Sequence, residues 1–191
     1  MSYVLQSIAS PLGPLVAIAG PAGVCMLEFG EPDRLEAQMA AFRRWFGSDA
    51  VAGDHAHLDR LRNELDAYFD GALTRFTVPV VTPGTPFQER VWSALQCIPY
   101  GETRSYEDVA RTVGAVSAPR AVGRANGSNR IAIVVPCHRV VNKDGKLGGY
   151  GGQLWRKQAL LDLERPSLLR SGIRDRERWI PDRVTAGGRA K

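Results

Sequence analysis

A Pro-Gly break at Thr82-Pro83-Gly84 separates two stretches with different hydrophobic periodicity, and this division constrains the fold more than any other feature of the chain. Upstream, apolar runs at residues 15–19 and 24–29 are punctuated by Ser10-Pro11-Leu12-Gly13-Pro14 and Gly20-Pro21-Ala22-Gly23, the pattern of short strands joined as a hairpin. Leu35, Met39, Phe42 and Phe46 then recur at helical spacing, as do Leu58, Leu61, Leu65 and Tyr68, and a short strand is expected around residues 76–81. Downstream the elements are short and helical. Thr85 reads as an N-cap, with Pro86 at the first helical position and Gln88 completing a capping box. Phe87, Val91, Leu95 and Ile98 give that helix its buried stripe, and Pro99-Tyr100-Gly101 ends it. One continuous apolar strand is expected at residues 131–135. The fold class is therefore α+β, a small α/β unit followed by a helical one, with boundaries at 1–83, 84–165 and a basic extension at 166–191.

The 191 residues suffice for one large domain or two small ones. With 44% hydrophobic and 24% charged residues the composition excludes a disordered chain, and three cysteines cannot make a disulfide framework. No apolar run approaches the roughly 18 residues of a spanning helix, and no basic segment followed by an apolar one opens the chain. A soluble, unexported protein with reduced thiols, without membrane association, is expected. Its charge is uneven: residues 1–85 carry 6 basic and 10 acidic side chains, residues 86–164 carry 11 and 7, and residues 165–191 carry 8 and 3. A polyanionic partner would meet the back half.

Two capped helices lie close together in that half. Ser105 with Asp108 opens one that runs to about Val113, where Gly114 stops it; Ser117 opens a second that ends near Gly127. Two short helices joined by a turn of about four residues make a helix-turn-helix pattern. Ala118, Ala121, Val122, Gly123 and Ala125 leave the second helix slim, with Arg120 and Arg124 projecting. Such a helix either approaches a nucleic-acid groove or packs tightly on a neighbour, and these residues alone leave both open.

Cys25 in an apolar strand and Cys97 near a buried helix face read as inert core residues. Cys137 differs, because it follows an apolar run and a proline and precedes His138 and Arg139. A free thiol is only about 3% thiolate at neutral pH, so a nucleophile needs a base or positive charge beside it. Contact between Cys137 and His138 would require a sharp turn after Pro136. A metal site is not expected: no Cys-x-x-Cys occurs, and His55 and His57 are distant in sequence.

The segment Pro136-Cys137-His138-Arg139-Val140-Val141 resembles the active-site signature of the O6-alkylguanine-DNA alkyltransferases, the methylated-DNA–protein-cysteine methyltransferases. GTPFQERVW, IPYGETRSY, RAVGRANGSN, PCHRVV, GGYGG and RKQALLDLE follow in family order, and the SPLGPL turn and DAYFDG helix resemble the family's N-terminal portion. The resemblance covers residues 1 to about 164. It implies an N-terminal RNase H-like α/β domain without that enzyme's chemistry, followed by a helical, winged-helix-like domain that binds DNA through the minor groove and carries the thiol.

It further implies stoichiometric repair without a cofactor. The alkyl group of O6-alkylguanine, and of O4-alkylthymine, moves irreversibly to Cys137. His138 would accept the thiol proton through a water, Glu164 would orient the imidazole, and Tyr106 would donate a proton to the leaving base. Arg120 would fill the stack vacated by the flipped base, with Ser117, Ala121 and Arg124 also at the DNA. Asn129 would tie the helix-turn-helix to the active-site strand. The loop at 148–152 around Tyr150 would close over the base, the backbone of Val140 and Gly151 would face its edge, and Lys157 would stand behind the loop. The partner is duplex DNA carrying the lesion, the protein a monomer, and the location cytoplasmic, or nuclear in a eukaryote.

Three positions depart from the family pattern: Arg130 where proline is common, Gly151 where some members carry serine, and Gln153 where a small residue is frequent. The rival readings are a non-enzymatic lesion binder and a helix-turn-helix regulator. The 166–191 extension, with its alternating charges and apolar Leu168, Leu169, Ile173, Trp179 and Ile180, would either dock on the body or touch phosphates.

Overall fold

The computed structural model describes residues 2–165, and the extension at 166–191 lies outside the described residues. Three strands, β1 (Tyr3–Ile8), β2 (Leu15–Gly20) and β3 (Gly23–Phe29), form an antiparallel meander, and β4 (Ala50–Ala52) joins β1 in parallel, giving the order β3-β2-β1-β4. β3 is buried at every position, as a strand covered on both faces must be. One face meets helix α1 (Pro32–Phe46), whose Phe42 packs with Tyr3, Ile18 and Met26. The other meets α2 (Ala56–Phe69), which buries Leu58, Leu61, Leu65 and Tyr68, the stripe its spacing predicts.

Helix α3 (Pro86–Gln96) carries the predicted capping box, with Thr85 accepting from Gln88 N and Gln88 accepting from Thr85 N. It is followed by β5 (Arg104–Ser105), α4 (Tyr106–Thr112) and α5 (Pro119–Gly127). A single 3₁₀ turn (Cys137–Arg139), the two-residue strand β6 (Val140–Val141) and α6 (Leu154–Glu164) complete the chain. The capping box of Ser105 and Asp108 opens α4, and Gly114 at φ 71° ends it in the left-handed region that favours glycine. The second core face runs without a break from Leu15, Leu27 and Leu65 into Trp92, Leu95, Val122 and Leu160, so the two halves share one apolar interior.

Four expectations are corrected. Ser117 does not open α5: the N-cap is Ala118, which makes no side-chain cap, and Pro119 with its preset φ begins the helix after a longer connection at residues 113–118. Cys97 is exposed, because it falls at the C-cap of α3, where the stripe has already turned away. Residues 76–81 contribute only an isolated parallel bridge from Val80 to Val24. Residues 131–135 are not a continuous strand either. Ile131 bridges Leu27 at the open edge of β3, with Leu27 N donating to Arg130 O and Ala132 N donating to Leu27 O, each at 2.8 Å. The chain then folds on itself: Val134 N donates to Ala132 O around Ile133 at φ 68°, and Cys137 N donates to Val135 O around Pro136 at φ −80°, ψ 60°. These are two γ-turns in succession. They satisfy buried backbone groups locally, which an apolar run can do as well as a ladder can.

Candidate active site

The γ-turn at Pro136 presents Cys137 at the start of the 3₁₀ turn, facing a cavity of about 330 Å³. Tyr106, Gly123 and Asn126 line it from the helices, Gly149, Tyr150, Gly151 and Gly152 from the loop before α6, and Glu28 and Arg34 from the N-terminal half. Cys137 as a residue is buried, 7% exposed, and lines the cavity wall. Asn129 accepts from Ile131 N through Oδ1 at 3.0 Å. Its Nδ2 donates to Ile131 O at 3.2 Å, to Val135 O at 3.0 Å and to Cys137 Sγ at 3.2 Å. These bonds link Asn129, just beyond α5, to the turns that lead to Cys137, and they end on the sulfur itself. Burial pushes the Cys137 thiol up from its ordinary value, while the Asn129 bond pulls the other way.

Behind the cysteine, His138 is fully buried and its Nε2 lies 2.8 Å from Glu164 Oε1. A carboxylate can only accept, so Nε2 carries the hydrogen and Nδ1 is the free base. Nδ1 has no hydrogen-bond partner among the described residues. Burial lowers the pKa of His138, so the ring is neutral near pH 7. Glu164 also accepts from Arg139 Nε at 2.8 Å and Nη2 at 2.9 Å, from Tyr68 Oη at 2.7 Å and from Gly101 N at 3.2 Å. Burial by itself would raise this carboxyl, but the bonds from His138 and Arg139 overcome it and hold it at about 2. The cluster is a closed charge balance: one carboxylate, one guanidinium and a neutral imidazole.

Tyr106 opens α4, and burial followed by the neighbouring Cys137 raises its hydroxyl, so it stays protonated. Tyr150 is likewise a neutral phenol, pushed well up by burial, and its Oη has no partner among the described residues. Val140 and Lys157 do not line the cavity. Lys157 Nζ donates to Val140 O at 2.6 Å, to Leu147 O, and to Gly149 O at 3.3 Å, so both residues brace the loop from behind. Burial lowers Lys157 to about 8. Arg120 and Arg124 stand exposed one turn apart on α5, Ser117 is exposed before it, and Ala121 is half-buried between the arginines. Among the described residues no group of three or more His, Cys, Asp and Glu is arranged to hold a metal ion.

Sequence reasoning missed the N-terminal contribution. Glu28, buried in β3, accepts from Arg34 Nε at 2.8 Å, and Arg34 reaches across to Gly127 O at 2.8 Å and Asn129 O at 3.0 Å. A charged residue inside the run Val24-Cys25-Met26-Leu27-Glu28-Phe29 was the available signal, since a buried carboxylate needs a partner. Asn126, donating to Cys137 O at 3.3 Å, and Arg139 were also missed as site residues. Arg130 spans the halves, donating to Pro83 O with its guanidinium over Trp92 at 5.3 Å.

A buried thiol on a γ-turn, a base oriented by a carboxylate and two neutral phenols define a thiol-based group-transfer site, set behind a helix-turn-helix on an α+β fold. Residues 86–166 match the family model described as 6-O-methylguanine DNA methyltransferase, DNA binding domain, and residues 4–82 match the model for its ribonuclease-like domain. The chain belongs to this family. It is 48% identical over 165 residues to a methylated-DNA–protein-cysteine methyltransferase of Mycobacterium bovis, covering 84% of this chain and 91% of that protein. It is 46% identical over 123 residues to the inducible methylated-DNA–protein-cysteine methyltransferase of Bacillus subtilis, covering 64% of this chain and 69% of that one. The crystal structure of Mycobacterium tuberculosis OGT in complex with DNA superposes with a TM-score of 0.71 at 44% identity, over 88% of this chain and 98% of that one.

Proposed function

We propose that this chain repairs alkylated DNA by taking the alkyl group of O6-alkylguanine onto Cys137 in a single turnover. The observation that carries the reading is the setting of Cys137: its Sγ accepts from Asn129 at the end of a cavity, with His138 and Glu164 directly behind. His138 Nδ1 takes the thiol proton, through a bridging water, and the resulting imidazolium is stabilised by Glu164. The thiolate displaces the base at the alkyl carbon, so a C–S bond forms as the C–O bond breaks. The departing guanine becomes neutral by accepting the Tyr106 proton. The thioether has no leaving group, and the protein is consumed.

The target base must leave the duplex at a cost of a few kcal/mol. In this reading Arg120 enters the stack behind it and Arg124 meets the backbone, supported by the exposure of both on one face of α5. O4-alkylthymine, whose ring presents the same alkoxy edge, is a second substrate of this reading. No helix among the described residues is long and apolar enough to cross a membrane. A monomer working in the cytoplasm, or in the nucleus of a eukaryote, fits these features. Intact-mass analysis after mixing with an O6-methylguanine duplex tests the proposal. A gain of one methyl equivalent, mapped to the Cys137 peptide and lost in Cys137→Ala, is expected; repair that survives Cys137→Ala sinks the mechanism. Lesion binding without a mass gain would favour the non-enzymatic binder.

A further inference from the structure

Asn129 is gripped at both ends. Its side-chain amide shares two hydrogens among Ile131 O, Val135 O and Cys137 Sγ, while its backbone carbonyl accepts from two residues of α1, Gln38 Nε2 at 3.0 Å and Arg34 Nη2 at 3.0 Å. Gln38 is 4% exposed, and the same Nε2 also donates to Glu28 Oε2 at 3.2 Å. Glu28 Oε1 in turn accepts from Phe29 N at 3.0 Å, which locks the carboxylate to its own strand. With one amide hydrogen committed to Glu28, the other points at Asn129 O, so the glutamine cannot flip without losing both bonds. The adjacent bonds between Leu27 and residues 130 and 132 anchor the same segment to β3.

We infer that Gln38, held by Glu28, is a positioning residue of the N-terminal half that sets the Asn129 donor on the Cys137 sulfur. The N-terminal half is thereby part of the reactive machinery. An amide N–H on sulfur favours the thiolate over the thiol, and that preference depends on distance and angle. Without Gln38 the Asn129 carbonyl keeps Arg34 as its one side-chain donor from α1, and its backbone can shift. With two hydrogens for three acceptors, the shared amide then keeps its two carbonyl oxygens, and the bond to the thiol sulfur, the weaker acceptor, is the one given up.

The inference rests on Cys137 being the nucleophile, so its test avoids DNA altogether. Iodoacetamide alkylation of the full chain is followed against pH, with the Cys137 peptide read separately from Cys25 and Cys97. In Gln38→Met, which keeps length and removes both donors, the alkaline midpoint for Cys137 should rise by about one unit and the rate at pH 7 should fall about tenfold. Gln38→Glu, which keeps shape but cannot donate when ionised, should shift it at least as far. A role limited to packing would lower the melting temperature and leave the midpoint in place. Superimposable Cys137 profiles in wild type and in whichever of the two variants folds would overturn the inference. Since iodoacetamide reports the thiol directly, that outcome is separate from any failure of transfer from O6-methylguanine.

Discussion

The guanidinium of Arg34 occupies the space beside Gly151, so that a Cβ there would lie 2.7 Å from Arg34 Cζ and 2.8 Å from its Nε. The end of an arginine can normally swing aside, but this one is held by Glu28, Gly127 O and Asn129 O. Glycine at residue 151 and the fixed position of Arg34 are therefore one structural fact. Gly151→Ser should displace Arg34 and leave Glu28 buried without its cation. The expected loss is about 1–3 kcal/mol, read as a lower denaturant midpoint with an unchanged slope. A variant as stable as wild type would mean that the loop yields instead.

Among the paired groups of the site, Glu164 should hold its charge furthest into acid. Its carboxyl is lowered from 4.5 to about 2, so the folded state binds its proton less readily than the unfolded chain, and the stability it contributes is present above about pH 5 and lost as pH falls toward 2. That shift corresponds to about 3 kcal/mol. The lowered pKa of His138 acts in the same direction and begins to cost stability once pH drops below the ordinary histidine range. Glu164→Gln should be far less stable than wild type at pH 7, because Arg139 and His138 lose their partner, and the gap should narrow steadily between pH 5 and pH 3. A constant gap over that window in urea titrations would contradict the charge assignment.

The pH dependence of alkyl transfer should separate His138 from the thiol. Burial keeps His138 neutral and raises the thiol, so wild-type transfer from O6-benzylguanine should be level through neutral pH and decline only in acid. In His138→Ala the thiol must ionise unaided, and the rate should climb with pH well into the alkaline range. An unchanged profile would exclude the relay.

Arg120→Ala and Tyr106→Phe should be distinguished by substrate. Loss of a wedge worth about 2 kcal/mol slows duplex repair roughly thirtyfold and leaves the free base nearly untouched, since only the duplex reaction requires extrusion. Removing the Tyr106 proton donor should slow both reactions, on the order of 10²-fold. Stopped-flow transfer assays on both substrates decide this, and equal slowing by Arg120→Ala would reject the intercalating role.

Local patterning was legible wherever one element could satisfy itself. The capping boxes at Thr85 and Ser105 and the apolar stripes of α1 and α2 depend on residues within four positions of each other, and all appear as read. The motif around Cys137 marked the thiol and the adjacent histidine, whereas Glu164 entered only through the family resemblance. Failures fell where a segment had a choice of partners. Residues 131–135 are as apolar as a strand, but only Ile131 finds a neighbour on β3, and the rest close into turns. Ser117 could have capped α5, yet Ala118 with Pro119 begins it.

By itself, the sequence determined which residue types were available for chemistry, a cysteine beside a histidine with a carboxylate in reserve, and the periodicities that make each helix. The tertiary structure alone decided which groups share a low-dielectric interior. Glu164 becomes a strongly lowered carboxylate only because His138 and Arg139 of the 3₁₀ turn meet it, where Tyr68 of α2 also donates to it. Glu28, Arg34 and Gln38 join the site only because the edge of β3 docks against residues 130–132. Charge and hydrogen-bond energies depend on distance and burial, and a linear chain specifies neither until it is packed.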